Sequence, residues 1–543
     1  MRMLQKGRIR IFLLFCLLLT IDTSCKPAHL SDRKAAGDTL IVPDIEKLAL
    51  INPLLTSTTL STRVNEILFD GLIRVDDRFE PKPHLAQAWE TSADGRVWTF
   101  HIRTGIKFHD GVELTAEDVA FTFMKVKELE NQTPFGFIFQ DVDTISVKDN
   151  YTVQIVLKKP LASFLQTLFM GILPKHLLEG QDLTNTPFNK NPIGTGPFKF
   201  KSWSEKEILL EANPAYFLNR PYLNQIRVRV YPNREAAWAK LMAGEVDFFD
   251  FLTPGNYEIL KQVPAFNFYS VPMPFYYLVA FNLESQLFKD QKVRQALNYS
   301  VNKQEIITKV LLGQGQAASG TIYPGSWAYD PNVRPYPYDP KRALALLKEA
   351  GWDDYDGDHI LDKDGKPFEF AVHVIAGDDL KQKTLLLIQQ QLLDIGIRMN
   401  IVLFNAEDSR FLFEKKFQAH FPEIGARGDP EFNYRLWHSS QINGGFNVSS
   451  YRNDKVDRLL EDGKTEFDQG KRKAIYYNFQ EEMLKDPPGI FLFWTNYLVG
   501  VQKRFKGVKI SPVGPFANIQ EWYVPKAEQR YTESQDLSNA KGK

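Results

Sequence analysis

Residues 89–123, WETSADGRVWTFHIRTGIKFHDGVELTAEDVAFTF, contain two turns, a strand and a helix start within one short stretch. Asp94-Gly95 and Asp110-Gly111 predict tight turns, because glycine adopts positive φ without strain. Residues 97–103 alternate apolar and polar side chains, as in a half-buried strand. Thr115 is suited to cap the helix that follows, whose apolar positions form one stripe. The stretch therefore predicts a compact unit of mixed α and β structure.

The same alternation of elements continues through the rest of the chain. Asp339-Pro340 predicts a helix start, and Gly351 its end. A second helix carries apolar residues at helical spacing up to Gly396, and residues 397–403 then alternate like a strand. A helix joined to a strand by so short a connection is typical of an α/β fold.

Five ordered stretches resemble the family 5 extracellular solute-binding proteins, which are the peptide, nickel and oligosaccharide receptors of ABC importers. They are NEILFDGLIRVDDRFEPKPHLAQAWETSADGRVWTFHIR at 65–103, NPIGTGPFKFKSW at 191–203, LMAGEVDF at 241–248, FKDQKVRQALNYSVNKQEI at 288–306 and DPKRALALLKEAGW at 339–352. Several matches in order are more specific than any one motif. The resemblance implies a periplasmic-binding-protein type II-like α/β fold, with two lobes, a hinge and an inserted αβ domain.

The resemblance also implies how the chain is divided between these units. We expect the hinge strands to cross near residues 271–274 and 499–501, so that the lobes close over a ligand. The expected boundaries are 39–74, 193–270 and 500–527 for lobe I, 75–192 for the inserted domain, 271–499 for lobe II and 528–543 for a tail.

The first 25 residues predict an export signal. Basic residues precede an apolar run at 11–19 that is too short to span a bilayer. Small residues before Cys25 resemble a lipoprotein signal, which implies a lipid anchor on that cysteine, a tether at 26–38 and a location on the periplasmic or cell-surface face. Asp22 departs from that pattern, and ordinary secretion is the alternative. Both cysteines, Cys16 and Cys25, lie in this segment, so the mature chain is expected to have no disulfide.

Composition excludes some partners and favours others. The 543 residues contain 66 Lys and Arg and 66 Asp and Glu, so no net field attracts nucleic acid. Aromatic residues make up 13% of the chain, and aromatic walls suit the binding of varied ligands. We expect a monomer that binds a small solute and docks on ABC permease subunits.

Residues 421–440, FPEIGARGDPEFNYRLWHSS, form the predicted centre of the ligand site. The resemblance implies an Asp that pairs with a peptide's α-ammonium, three residues before an Asp-Pro pair. Here Asp429-Pro430 is present, but the implied position is Ala426 and Arg427 follows it. Arg427 favours a carboxylate or phosphate, whereas Asp429 either anchors a ligand or caps a local helix. A peptide with a free amine is therefore one of two open possibilities.

Other candidate ligand contacts are aromatic, amide or hydroxyl side chains in loops and at strand ends. Indole rings form pocket walls, and amides bind backbone-like or sugar groups. Core packing or turn capping is the alternative for each one. The candidates are Trp437, Asn433, Asn447, Trp494, Thr58, Thr59 and Asn282.

An acidic loop, DDYDGDHILDKDG, raises the question of calcium. Its carboxylates at Asp354, Asp356, Asp358 and Asp362 have alternating spacing, which suits a hard cation. The EF-hand pattern fails, however, because His359 stands where that pattern has Gly. A polar loop leading to a hairpin at Asp364-Gly365 is the alternative interpretation.

The sequence contains no convincing catalytic set and implies no cofactor. It has no HExxH, no P-loop and no cysteine nucleophile outside the export signal. We therefore predict a non-catalytic receptor that captures a peptide-like solute by lobe closure. The alternatives are a receptor for an anionic or sugar-like solute, such as an opine or oligosaccharide, and a surface-displayed binding or chaperone-like lipoprotein.

Overall fold

The computed structural model describes residues 34–55, 58–250, 252–426 and 428–531. The strands in these ranges are β1 (Thr39–Asp44), β2 (Ile73–Val75), β3 (Pro81–Pro83), β4 (Ala86–Thr91), β5 (Val97–Ile102), β6 (Val142–Asp149), β7 (Thr152–Leu157), β8 (Phe198–Trp203), β9 (Glu207–Ala212), β10 (Gln225–Val230), β11 (Phe248–Phe249), β12 (Phe266–Phe281), β13 (Gly315–Ala317), β14 (Asp362–Lys363), β15 (Lys366–Pro367), β16 (Glu369–Ile375), β17 (Arg398–Phe404), β18 (Ala419–His420), β19 (Glu423–Gly425) and β20 (Gly489–Gln502). The helices are α1 (Thr59–Leu68), α2 (Ala116–Leu129), α3 (Gly136–Phe139), α4 (Lys175–Leu178), α5 (Arg234–Met242), α6 (Pro254–Leu260), α7 (Gln286–Lys289), α8 (Gln291–Tyr299), α9 (Lys303–Lys309), α10 (Pro340–Glu349), α11 (Asp379–Leu393), α12 (Arg410–Phe413), α13 (Phe432–Trp437), α14 (Asp454–Thr465) and α15 (Gln469–Lys485).

Residues 89–123 fold largely as predicted. Strand β5 occupies the predicted range to within one residue, and Gly95 and Gly111 have positive φ angles of 69° and 95° in the two turns. Helix α2 follows Thr115, which is its N-cap residue as predicted. The Asp118 carboxylate completes a capping box by accepting the Thr115 backbone N–H at 2.9 Å.

The predicted helix-to-strand connection before residue 397 is also confirmed. Asp339 accepts the N–H of Arg342 at 2.9 Å and caps α10. Gly396 has a φ of 80° and ends the turn after α11, and β17 then pairs in parallel with β16. A parallel pair joined through a helix is the βαβ unit that defines an α/β fold.

Three larger sheets organise the chain. The N-terminal sheet has the order β1-β10-β9-β8, in which only β1 and β10 are parallel. The hairpin sheet has the order β4-β5-β7-β6 and is antiparallel. The central sheet has the order β11-β20-β12-β18-β16-β17, with β13 added to β20 and β19 added to β12.

The central sheet is buried on both faces, because alternate residues of β12 enter different cores. Tyr277, Val279 and Phe281 belong to what we call the second core, which includes α8, α10 and α11. Tyr276 and Leu278 point to the opposite face and belong to the third core, with Trp327 and residues of α13 to α15. The sheet therefore separates two packed layers.

The first core lies in the N-terminal half and also includes the end of β20. It joins apolar residues of the N-terminal sheet, α1, α2 and the hairpin sheet into one cluster. Arg504, just after β20, forms buried ion pairs with Asp38 and with Asp247, the latter at 2.9 Å. Asp247 in turn accepts the N–H of Ile41 at 2.9 Å. Segments from the beginning, middle and end of the chain thus meet in one buried network.

Candidate functional site

Two long strands connect the first core to the second and third cores. β12 and β20 pair from Phe266 with Gln502 to Ala280 with Gly489. The pairing is interrupted between Pro272 and Tyr276, where proline has no N–H to give to a neighbouring strand. The interruption coincides with the crossing segment predicted at residues 271–274.

A small cavity of about 10 Å³ lies beside this interruption, which is room for about one water-sized group. Its walls come from β12, the loop after β13, β19 and α13. The lining residues are Tyr276, Thr321, Ile322, Tyr323, Ser326, Gly425, Ala426, Gly428, Asp429, Pro430, Phe432, Asn433 and Leu436. The structure therefore places Ala426, Asp429 and Asn433, all named from the sequence, in one wall of a cavity.

Two hydroxyl groups in the cavity lining have no hydrogen-bond acceptor. Tyr276 is 1% exposed and Thr321 is 2% exposed, and neither hydroxyl donates a hydrogen bond. The Trp437 indole interacts with the Tyr276 oxygen, whereas the indole N–H of Trp327 is buried without an acceptor. Tyr323 differs, since its hydroxyl donates to the Pro272 carbonyl at 2.9 Å. Buried unpaired donors are costly, so the region has unused hydrogen-bonding capacity.

Asp429 is already paired within the protein. Arg472 of α15 donates to both of its carboxylate oxygens, one at 2.6 Å, and both side chains are buried. Burial lowers the pKa of the Arg472 guanidinium, but Asp429, Tyr476 and Glu431 together more than offset this and the net pKa is raised. Asp429 also accepts the N–H of Glu431 at 2.9 Å. The carboxylate therefore holds a distant cation and the turn before α13, whose N-cap residue is Glu431 and not Asp429.

Glu431 lies next to this pair and reaches another part of the chain. Ser163 donates to its carboxylate at 3.4 Å, and the Lys464 ammonium lies 3.9 Å from it. Burial raises the pKa of Glu431, and Lys464 opposes that shift. The two acids around the cavity wall therefore each have a cation nearby.

The three candidate asparagines are buried and use their amides within the protein. Asn433 donates to the Pro430 carbonyl at 2.9 Å. Asn447 donates to two carbonyls and accepts the N–H of Tyr451 at 3.0 Å. Asn282 donates to two carbonyls between β17 and β18 and accepts a backbone N–H. Asn447 and Asn282 thus close loops, and only Asn433 lines the cavity.

The remaining candidates fall into three environments. Trp494 and Trp437 are buried in the third core, where Trp494 packs against Tyr276 with ring centroids 5.2 Å apart. Thr58 and Thr59 are exposed, and Thr58 caps α1 by accepting the N–H of Ser61 at 3.3 Å. Arg427 and Cys25 lie outside the described residues.

Contacts from the predicted insertion enclose the cavity region. Ala162 donates its N–H to the Lys464 carbonyl at 3.0 Å. Trp98 packs on Phe467 with centroids 6.3 Å apart, and Phe79 packs edge-on against Tyr323 at 5.8 Å. The hairpin sheet and the loops around it therefore contact the end of α14, the segment after it and one residue of the cavity lining, Tyr323.

Three of the four acidic residues in the calcium candidate come together. Carboxylate oxygens of Asp354, Asp356 and Asp362 lie within 4.8 Å of one another, and Asp358 is not part of this group. Asp354 accepts the N–H groups of Gly357 and His359, so its oxygens also hold the loop. The hairpin predicted at residues 364–365 is present between β14 and β15.

Arg472, Glu431, Tyr276 and Thr321 were not found from the sequence. Arg472 is 43 residues from Asp429, and no spacing rule connects a loop residue with a helix residue at that distance. In the sequence, Tyr276 has the pattern of an ordinary apolar strand residue. In the structure, the short β19 pairs with β12 and places Gly425 opposite Phe275, beside the interruption.

Comparison with known proteins identifies the family of this protein. Residues 80–445 match the profile of the bacterial extracellular solute-binding proteins, family 5, middle region. The chain belongs to that family. Oligopeptide-binding protein AppA of Bacillus subtilis is 32% identical over 542 residues, which cover 95% of this chain and 98% of that protein. The dipeptide-binding protein of Escherichia coli is 29% identical over 469 residues, or 80% of this chain and 85% of the relative.

Solved structures of the family confirm the predicted fold class. NikZ of Campylobacter jejuni, in complex with Ni(L-His), is 32% identical with a TM-score of 0.76, covering 90% of this chain and 99% of NikZ. AppA of Bacillus subtilis, in complex with a nonapeptide, is 32% identical with a TM-score of 0.75, covering 91% and 100%. The family consists of solute-binding proteins of ABC transporters. Among the residues described for this member, no helix has the length and apolar character needed to cross a membrane.

Proposed function

We propose that this solute-binding protein captures peptides or peptide-like solutes between its lobes and delivers them to an ABC permease. One observation carries the proposal: the end-to-end similarity to AppA, whose solved structure holds a nonapeptide. The interrupted pairing of β12 and β20, with a small polar cavity beside it, supports a joint and one ligand contact at the same place.

The expected lobe boundaries are part of this proposal. Lobe I comprises 39–74, 193–270 and 500–527, the insertion 75–192, and lobe II 271–499. A first core that excludes most of the region after 271 supports two separately packed halves. A solute then shifts the open and closed populations only through contacts that are better in the closed form.

Lipidation of Cys25 and a position on the periplasmic or cell-surface face complete the proposal. The short apolar run and the small residues before Cys25 support it. A lipid on Cys25 would hold the protein at the membrane near its permease. The monomeric state is likewise proposed, and light scattering of the purified protein tests it.

Mass spectrometry of material that co-purifies with the protein tests the ligand class directly. A thermal-shift screen with peptide pools, oligosaccharides and opine-like acids follows, because a ligand bound only by the native state raises the melting temperature. Saturable stabilisation by peptides supports the proposal. Stabilisation only by sugars or acids would move the protein to the alternative solute class, and only by macromolecules to the surface-displayed alternative.

A variant that blocks the cavity separates site binding from adsorption. Ala426 lines the cavity, so Ala426→Trp fills it, whereas Ala239→Trp adds the same side chain on the exposed face of α5. We expect the first variant to lose peptide stabilisation and the second to keep it. Equal responses of both variants would place peptide binding elsewhere.

A further inference from the structure

The cavity beside β12 has an unusual balance of donors and charges. Its lining contains the hydroxyls of Tyr276 and Thr321, both more than nine-tenths buried. The Trp437 indole interacts with the Tyr276 oxygen, but among the described residues neither hydroxyl has an acceptor to which it can donate. A buried hydroxyl without an acceptor costs free energy, so a ligand that supplies the acceptor binds more tightly by removing that cost.

Among the described residues, the charged groups around this cavity form pairs with one another. Asp429 is the acidic residue in the lining, and Arg472 binds both of its carboxylate oxygens in a bidentate ion pair. Glu431, behind it, has Lys464 at 3.9 Å and a pKa raised by burial. Within the described part of the chain, no carboxylate on this wall is left to receive a cation.

A charged ammonium would be poorly held in such a place. Burying an ammonium without a carboxylate is expensive, and breaking the Asp429–Arg472 pair to free one would leave a buried guanidinium unpaired. The cavity volume of about 10 Å³ also favours one oxygen-sized atom over a hydrated charged group.

We propose that the solute end entering this cavity is an uncharged oxygen acceptor, such as the carbonyl of an acyl group, rather than a charged ammonium. Tyr276 and Thr321 donate to that oxygen, and Ala426 leaves room for it. The inference rests on the proposed function and specifies its ligands: peptide-like solutes whose amino end is acylated or otherwise blocked.

The test uses three forms of one peptide, chosen as the tightest binder in the peptide screen. The forms have a free amine, an N-acetyl group or an N-succinyl group, and calorimetry measures the dissociation constant of each. We expect the acetylated form to bind at least about 10-fold more tightly than either charged form. An acetylated peptide that binds no more tightly than the free amine, or a succinylated one that binds best, would overturn the inference.

Hydroxyl deletions identify the donors. Tyr276→Phe and Thr321→Val each remove one unpaired hydroxyl, and we expect each to weaken the acetylated peptide about 5- to 10-fold. The melting temperature of the unliganded protein should hold or rise, because an unsatisfied group is removed. Tyr355→Phe, at a position 68% exposed, is the matched control. Unchanged affinity together with a lower melting temperature would mean that the cavity holds only a structural water.

A designed reversal completes the test. Ala426→Asp adds a carboxylate to the lining, and we expect it to shift preference toward the free amine by about 10-fold or more. Ala239→Asp on α5 is the control and should change nothing. If no form of any peptide binds the wild-type protein, the proposed function itself fails. Peptides that bind only through a free amine would refute this inference alone.

Discussion

The buried pair between Asp429 and Arg472 gives the sharpest prediction for stability. Both side chains are less than one-tenth exposed, and the Arg472 guanidinium also donates to the Gly463 carbonyl at 2.7 Å and lies over Trp327 and Tyr476. Removing Arg472 as Arg472→Met leaves a buried carboxylate without a counter-ion. Breaking a buried pair in this way costs about 3–5 kcal/mol.

We expect Arg472→Met to have a much lower thermal stability than the wild type. At about 2–4 °C per kcal/mol for domains of this size, Arg472→Met should lower the melting temperature by about 6–20 °C. Differential scanning calorimetry measures it for each transition separately, since a multidomain chain need not unfold in one step. Arg398→Met is the control, because its ion pair with Glu369 is exposed and weak.

A double variant decides whether the two residues act as a pair. Asp429→Leu with Arg472→Met removes both charges and should be more stable than the sum of the single losses by about 2 kcal/mol or more. Strictly additive losses, or an Arg472→Met protein that melts within about 1 °C of the wild type, would refute the structural role assigned to Asp429.

Other predictions address acid stability, packing, ligand charge and anchoring. Burial lowers the pKa of His109 to about 4, below the usual 6.5. Its neutral form therefore contributes about 3 kcal/mol to the free energy of unfolding, which is fully present above pH 6.5 and is lost as the pH falls toward 4. The melting temperature should fall as the pH is lowered across this range, and a flat profile would contradict the assignment. Gly194→Ala would place a Cβ 2.0 Å from the Leu68 carbonyl oxygen, so we expect little folded protein by circular dichroism, and a native melting curve would disprove the clash. Arg427→Ala should weaken an acidic solute by about 2 kcal/mol or more, and unchanged calorimetric affinity would remove Arg427 from the site. Cys25→Ser should release the protein from membranes into the soluble fraction, whereas an unchanged membrane fraction would rule out the lipid anchor.

Local signals predicted much of the fold. The caps at Asp339 and the glycines at 95, 111 and 396 act within a few residues, so the sequence alone locates them. The extent of β12 was harder to predict, because the strand contains two prolines. It reaches back to Phe266 because β20 pairs with it along most of its length. Pairing partners that far apart in the chain leave no local pattern.

The candidate site was predicted in part. Eight described residues between Gly425 and Leu436 line one cavity wall, because α13 and the short β19 bring them to β12. Asn447 and Asn282 carry the right chemistry for binding, but distant carbonyls occupy their amides. The partner of Asp429 likewise comes from a separate helix. Residue type can be read from sequence, whereas competition for each polar group is decided by tertiary contacts.

The network of Arg504 with Asp38 and Asp247 has a consequence for biogenesis. Strand β1 finds its neighbour only when β10 has been made, and its flanking carboxylate finds a counter-ion only when residue 504 has left the ribosome. The network is therefore completed only after residue 504 has been made. The buried carboxylate beside the first strand thus stays without its counter-ion until translation is nearly over, and this delay suits the export that we propose.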